Sequence, residues 1–163
     1  MIIKVSIDFL LFFFHFSKLN CNFAAMKGFS ELIDEALEAR RHAYAPYSRF
    51  CVGAALLSSD GRVFKGCNIE NAAFSPSMCA ERVAFAKALS EDCKDFCAIA
   101  ITGAPADRKG SDICTPCGVC RQVMREFCKP DFKIVCARTD EEGNILEQKE
   151  FTLAELLPES FTL

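Results

Sequence analysis

Apolar and polar positions alternate along the chain in blocks that predict discrete elements. From Ser30, Leu32, Ile33, Ala36 and Leu37 form one apolar stripe, while Glu31, Asp34, Glu35, Glu38, Arg40 and Arg41 fall largely elsewhere. That period predicts a packing helix capped by Ser30, which Pro46 bars from running on through Tyr47. Phe50 to Leu57 is continuously apolar, and Asp60-Gly61 follows as a hairpin turn before Val63–Cys67. Two more apolar runs, Phe96–Ile101 and Phe132–Ala137, read as strands inside a covered sheet. Glu142-Gly143-Asn144 turns the chain into a last strand near Ile145–Glu150. Helical stretches lie between, near 77–91 and 116–128, with a short one at 152–157. Five strands with interleaved helices predict an α/β fold, a three-layer α/β/α sandwich. No repeat or linker divides it, and 163 residues suit one domain.

Residues 1–25 stand apart. Ile7 to Phe16 is apolar except for Asp8 and His15, with Lys4 before it and Lys18 after. The run is short and interrupted for a membrane span. As a signal peptide it has a charged start and an apolar centre, but Asn22-Phe23-Ala24-Ala25 is a poor cleavage site. The reading preferred is an N-terminal extension, with the working domain at 26–163.

Composition narrows the chemistry. The chain is 51% hydrophobic and 25% charged, with a net charge of −3 and no Lys/Arg-rich run. A protein that grips polynucleotides usually shows a basic face, so a small uncharged substrate is favoured. Eleven cysteines is an odd total in a domain that is not small, which argues against a disulfide framework. Cys51, Cys67, Cys93, Cys97, Cys128 and Cys136 lie in or beside apolar runs and read as buried small hydrophobes.

The remaining cysteines carry chemistry. Cys117 and Cys120 are spaced i, i+3, so on a helix their sulfurs share one side. Thr115 as N-cap and Pro116 at the first helical position would set both at a helix start, where free N–H groups and the dipole favour thiolate. Cys79, after Ser75-Pro76-Ser77, sits near the start of the other helix. Mid-helix, Cys79 and Glu81 would point about 200° apart; only at a helix tip can both serve one centre. Three thiolates holding one Zn2+ per chain would leave a fourth position for water, with the Glu81 carboxylate beside it. Such a metal is over-neutralised, so Arg82 and Arg121, each next to a ligand, are candidates to donate hydrogen bonds to the sulfurs. Cys114-x-x-Cys117-x-x-Cys120 keeps open a rival, a closed structural knot of four cysteines. A knot would have no use for Glu81.

Cys79-x-Glu81 followed by Pro116-Cys117-x-x-Cys120 is the pattern of zinc-dependent nucleobase and nucleoside deaminases. Over residues 30–163 the chain resembles the small homotetrameric cytidine deaminases of pyrimidine salvage. The likeness rests on Ala45–Phe50, Val52–Leu57, Gly66–Ala72, Cys79–Arg82, Pro116–Gln122 and Leu156–Phe161. Cys51 departs from it, standing where Pro is expected, and residues 1–25 have no counterpart in it. The resemblance implies a mixed five-stranded sheet and a cytosolic hydrolase that turns cytidine and deoxycytidine into uridine and deoxyuridine with release of ammonia. It implies Glu81 as proton carrier, Asn68 and Glu70 on the ribose hydroxyls, Phe50 on the pyrimidine ring, and backbone groups near Ala80 on the base edge. Phe161, and also Tyr47, would reach the site of a neighbouring subunit in the tetramer. A blasticidin-S-type deaminase shares the zinc motifs and is the nearest alternative; a structural zinc module is the non-catalytic one. Neither nucleic acid nor membrane is expected as a partner.

Overall fold

The computed structural model describes residues 29–161; the extension at 1–25 lies outside them. Among these residues nine elements follow in order: α1 (Ser30–Arg40), β1 (Phe50–Ser58), β2 (Val63–Cys67), α2 (Ala80–Ser90), β3 (Phe96–Pro105), α3 (Gly118–Phe127), β4 (Lys133–Thr139), β5 (Ile145–Thr152) and α4 (Leu153–Leu156). The strands form one sheet in the order β2-β1-β3-β4-β5. Only β3 and β4 pair in parallel, through Ala98↔Lys133 to Ile101↔Cys136, and α3 lies in the crossover that joins them. The other pairs are antiparallel, so the sheet is mixed.

Both faces of the sheet are covered. Ala54, Leu56, Ile99, Ile101 and Ile134 pack on the side of α2 and α3, whose Phe85 and Met124 are fully buried. On the other side Ala55, Ala98, Ala100, Val135 and Ala137 meet Leu32, Ile33 and Ala36 of α1. That is why β1, β3 and β4 read as continuous apolar runs: period-2 alternation vanishes when both faces are dry. Phe85 anchors the larger core, its ring 5.0 Å from that of Phe96 in an edge-on arrangement. Gly61, at φ +90°, closes the β1–β2 hairpin in a conformation that a Cβ would oppose.

Two helix starts differ from the sequence expectation. The N-cap of α1 is Phe29 and Ser30 is already helical, so Ser30 makes no cap. α3 begins at Gly118 with Cys117 as its N-cap, so Thr115 and Pro116 lie outside the helix. Of the cysteines read as core, Cys93, Cys128 and Cys136 are buried, whereas Cys51, Cys67 and Cys97 are half-buried.

Candidate active site and metal centre

Two helix N-termini converge at one end of the sheet. Cys79 is the N-cap of α2 and Cys117 the N-cap of α3, both extended (ψ 155° and 166°) and neither making a side-chain cap hydrogen bond. Their carbonyls accept the first helical bonds, from Val83 N at 3.2 Å and Arg121 N at 3.0 Å. A Ser or Asp at either position would stabilise the helix by about 1 kcal/mol. Both caps instead carry a thiol, aimed past the helix end. Cys120, in the first turn of α3, completes the group.

The Cys79 and Cys117 sulfurs are 3.8 Å apart and those of Cys117 and Cys120 3.5 Å apart. All three lie within 4.8 Å of one another. Tetrahedral zinc with Zn–S bonds of about 2.3 Å needs sulfurs about 3.8 Å apart, so the set fits that ion. Cys114 is not in the cluster, and no four-cysteine knot forms among the described residues. Cys79 and Cys120 are shifted in opposite directions. Cys79 is held down to about 5, first by a hydrogen bond from Cys120, against the penalty of burial, and further by Cys117 and Arg82. The same Cys79–Cys120 bond, with burial, pushes Cys120 up. A site that already stabilises a thiolate suits a cation.

Glu81, in the first turn of α2, is only 4% exposed, and burial raises its pKa above the ordinary carboxylate value. Cys79 and Glu81 thus meet at a helix tip, as their i, i+2 spacing requires. What fixes that tip is Gly66 of β2: a Cβ there would stand 2.2 Å from the Ala80 carbonyl oxygen and 2.5 Å from Ala84 N. The strand and the first turn of α2 are in backbone contact.

Beside the thiols opens a cavity of about 470 Å³. Phe50, Asn68, Glu70, Ala80 and Glu81 line it, together with Cys79 and Cys117. Asn68 joins β2 to β1: its Oδ1 accepts from Val52 N at 2.8 Å and its Nδ2 donates to Phe50 O at 2.9 Å. Glu70 Oε2 accepts from the amides of Tyr47 (2.9 Å) and Ser48 (3.2 Å). A hydrogen bond from Ser48, followed by those amides, lowers its pKa. The segment between is held by paired bonds of Ile69 with Met78 and by Tyr44 N to Asn68 O. Ser48 also lines the cavity and was not singled out from sequence. The signal available was its position two residues before Phe50, whose amide its hydroxyl accepts at 3.0 Å.

The two arginines part company. Arg82 lies beside the Cys79 and Cys120 sulfurs, whose charge, against the penalty of burial, raises its pKa, and donates Nη2 to Ser77 O at 2.7 Å, while its Nε is a buried donor without a partner among the described residues. Arg121 donates Nε to Pro116 O and Nη1 to Leu156 O, each at 2.7 Å. It braces the ligand loop from behind and ties the C-terminal tail to α3. Tyr47 and Phe161 are 52% and 67% exposed and do not line the cavity of their own chain. Tyr47 sits 6.1 Å from the ring of Phe74, which is also exposed.

Residues 26–137 match the family described as the cytidine and deoxycytidylate deaminase zinc-binding region. The chain belongs to this family. Among relatives of this deaminase, a cytidine deaminase of Halalkalibacterium halodurans is 50% identical over 80% of this chain and 92% of its own length. One of Sporosarcina psychrophila is 47% identical over 81% and 90%. The crystal structure of cytidine deaminase from Burkholderia pseudomallei superposes with a TM-score of 0.68 at 43% identity, covering 80% of this chain and 97% of that one. Among the described residues no helix is long and apolar enough to cross a membrane.

Proposed function

We propose that this enzyme hydrolyses the exocyclic amine of cytidine and deoxycytidine, giving uridine or deoxyuridine and ammonia, in pyrimidine salvage. The observation that carries the reading is the junction of two helix tips, with three thiols at zinc spacing and a buried carboxylate opening on one nucleoside-sized cavity. Held by Cys79, Cys117 and Cys120, zinc would supply the Lewis acidity that makes water nucleophilic near neutral pH.

The chain's own groups do the rest. Glu81 accepts a proton from the attacking water and delivers it to N3 of the base, which makes C4 electrophilic. It then takes the proton of the hydroxyl newly attached to C4 and passes it to the departing amine, so the C4–N bond breaks as the C4–O bond becomes a carbonyl and one carboxylate serves in both directions. Asn68 and Glu70 receive the ribose hydroxyls, Phe50 packs on the pyrimidine ring, and the backbone near Ala80 reads the base edge. Arg82 relieves the negative charge of the sulfurs. Exposed Tyr47 and Phe161 are read as contributions to a neighbouring subunit's site in a homotetramer, and the reduced thiols of Cys79, Cys117 and Cys120 as the mark of a cytosolic enzyme. Residues 1–25 are read as an extension to the catalytic domain at 26–163.

The test follows cytidine absorbance with wild type and Glu81→Gln while counting zinc per chain. The variant is expected to keep its zinc and lose at least about 10²-fold in kcat. Equal turnover by both proteins would overturn the mechanism. Light scattering on the eluting protein checks the assembly, and a monomer active on cytidine would remove the shared-site reading.

A further inference from the structure

Arg49 occupies the left-handed region at φ +54°, a conformation disfavoured for any residue with a Cβ and most of all for a β-branched one. It lies between Ser48 and Phe50, both of which line the cavity. Its own side chain is exposed. The main chain is fixed on both sides: Arg49 N donates to Ala45 O at 3.1 Å, and Arg49 O accepts from Ala106 N at 2.8 Å. Just ahead of it the Glu70 carboxylate collects the amides of Tyr47 and Ser48; just behind it the Ser48 hydroxyl takes the amide of Phe50. A reversal of the backbone at this one residue lets Ser48 and Phe50 enter the same cavity while Glu70 stays anchored to the turn. The metal ligands come from α2 and α3, on other elements.

We infer that Arg49 is a positioning residue for the nucleoside, acting through its left-handed backbone and not through its guanidinium. The inference rests on reading the cavity as a nucleoside site. It distinguishes substitutions that all remove the charge. Glycine and asparagine accept positive φ, alanine resists it, and valine resists it most.

The experiment takes the full-length, zinc-loaded chain and compares wild type with Arg49→Gly, Arg49→Asn, Arg49→Ala and Arg49→Val. KM and kcat for cytidine, the calorimetric Kd for uridine and zinc per chain are read for each. Arg49→Gly and Arg49→Asn are expected to stay within about twofold of wild type in KM, and Arg49→Val to raise KM and the uridine Kd by about tenfold or more, with zinc unchanged. Arg49→Ala should fall between them, and it decides the matter if the valine variant does not fold. Wild-type KM in the valine or, failing that, the alanine variant overturns the inference. So does an equal rise in all four, which would assign the role to the guanidinium. A wild type that keeps its zinc but neither turns over cytidine nor binds uridine overturns the nucleoside reading itself, and this inference with it.

Discussion

Gly66 and Ala80 are in backbone contact: a Cβ on the glycine would stand 2.2 Å from the alanine carbonyl oxygen. Neither atom can yield without moving the turn that carries Cys79 and Glu81. Gly66→Ala is therefore expected to destabilise the protein by about 1–3 kcal/mol, as overpacking does. It should also weaken zinc binding, because the first turn of α2, which Cys79 caps, must move off β2. Urea denaturation and chelator competition would read the two effects, and unchanged zinc affinity would show that the contact does not set the ligand geometry.

The two arginines beside the ligands should behave differently. Arg82 lies beside the Cys79 sulfur, and Arg82→Gln is expected to lower zinc affinity about 10–100-fold. Arg121 spends its donors on two main-chain carbonyls. Arg121→Gln should cost about 1–3 kcal/mol of stability by leaving them unpaired, with faster hydrogen exchange around Leu156. A larger loss of zinc affinity in the Arg121 variant would reverse the assignment.

Burial pushes the thiols of Cys128 and Cys136 up to about 12. Each therefore keeps its proton in the folded state above the pH, near 9, at which it loses it on unfolding. The unfolded chain then binds fewer protons, so stability falls as pH rises from about 9 towards 12, by up to about 1.4 kcal/mol per pH unit per thiol. Denaturation measured between pH 8 and pH 11 should show that decline, and Cys136→Ala should flatten it. In the native protein at pH 8 both thiols should resist iodoacetamide.

Arg40 is 7% exposed, with its guanidinium bonded to the carbonyls of Arg108, Lys109 and Gly110. It fastens the end of α1 to the loop after β3. Arg40→Met keeps much of the bulk and removes every donor. It is expected to destabilise by about 3 kcal/mol or more, since bonds to a charged donor are worth about 1.5–3 kcal/mol each. A thermal or urea midpoint near wild type would show that water replaces the arginine without penalty.

The sheet was legible where hydrophobic burial alone decides it. Val63–Cys67 has the predicted bounds because Asp60-Gly61 marks its start. β3 runs on to Pro105, past the apolar run, because Thr102 and Gly103 pair with Gly53 and Val52 of β1; pairing with a distant strand leaves no local trace. The thiol cluster was legible because its spacing encodes helix tips. The start of α3 was not: Thr115 and Pro116 make a good cap pair locally, yet the cap position goes to Cys117, whose side chain makes no cap hydrogen bond and joins the thiol cluster instead. Arg121 was paired with the sulfurs on sequence adjacency alone. Its guanidinium instead bridges the carbonyls of Pro116 and Leu156, a direction that neighbours in sequence do not reveal.

The crossover between β3 and β4 also sets what the thiol cluster asks of the whole molecule. Cys79 precedes β3 and Cys117 and Cys120 follow it, so the three sulfurs share no local segment. They meet because α2 and α3 pack on the same side of the sheet, which makes the metal centre a property of the tertiary fold and of no single stretch of chain.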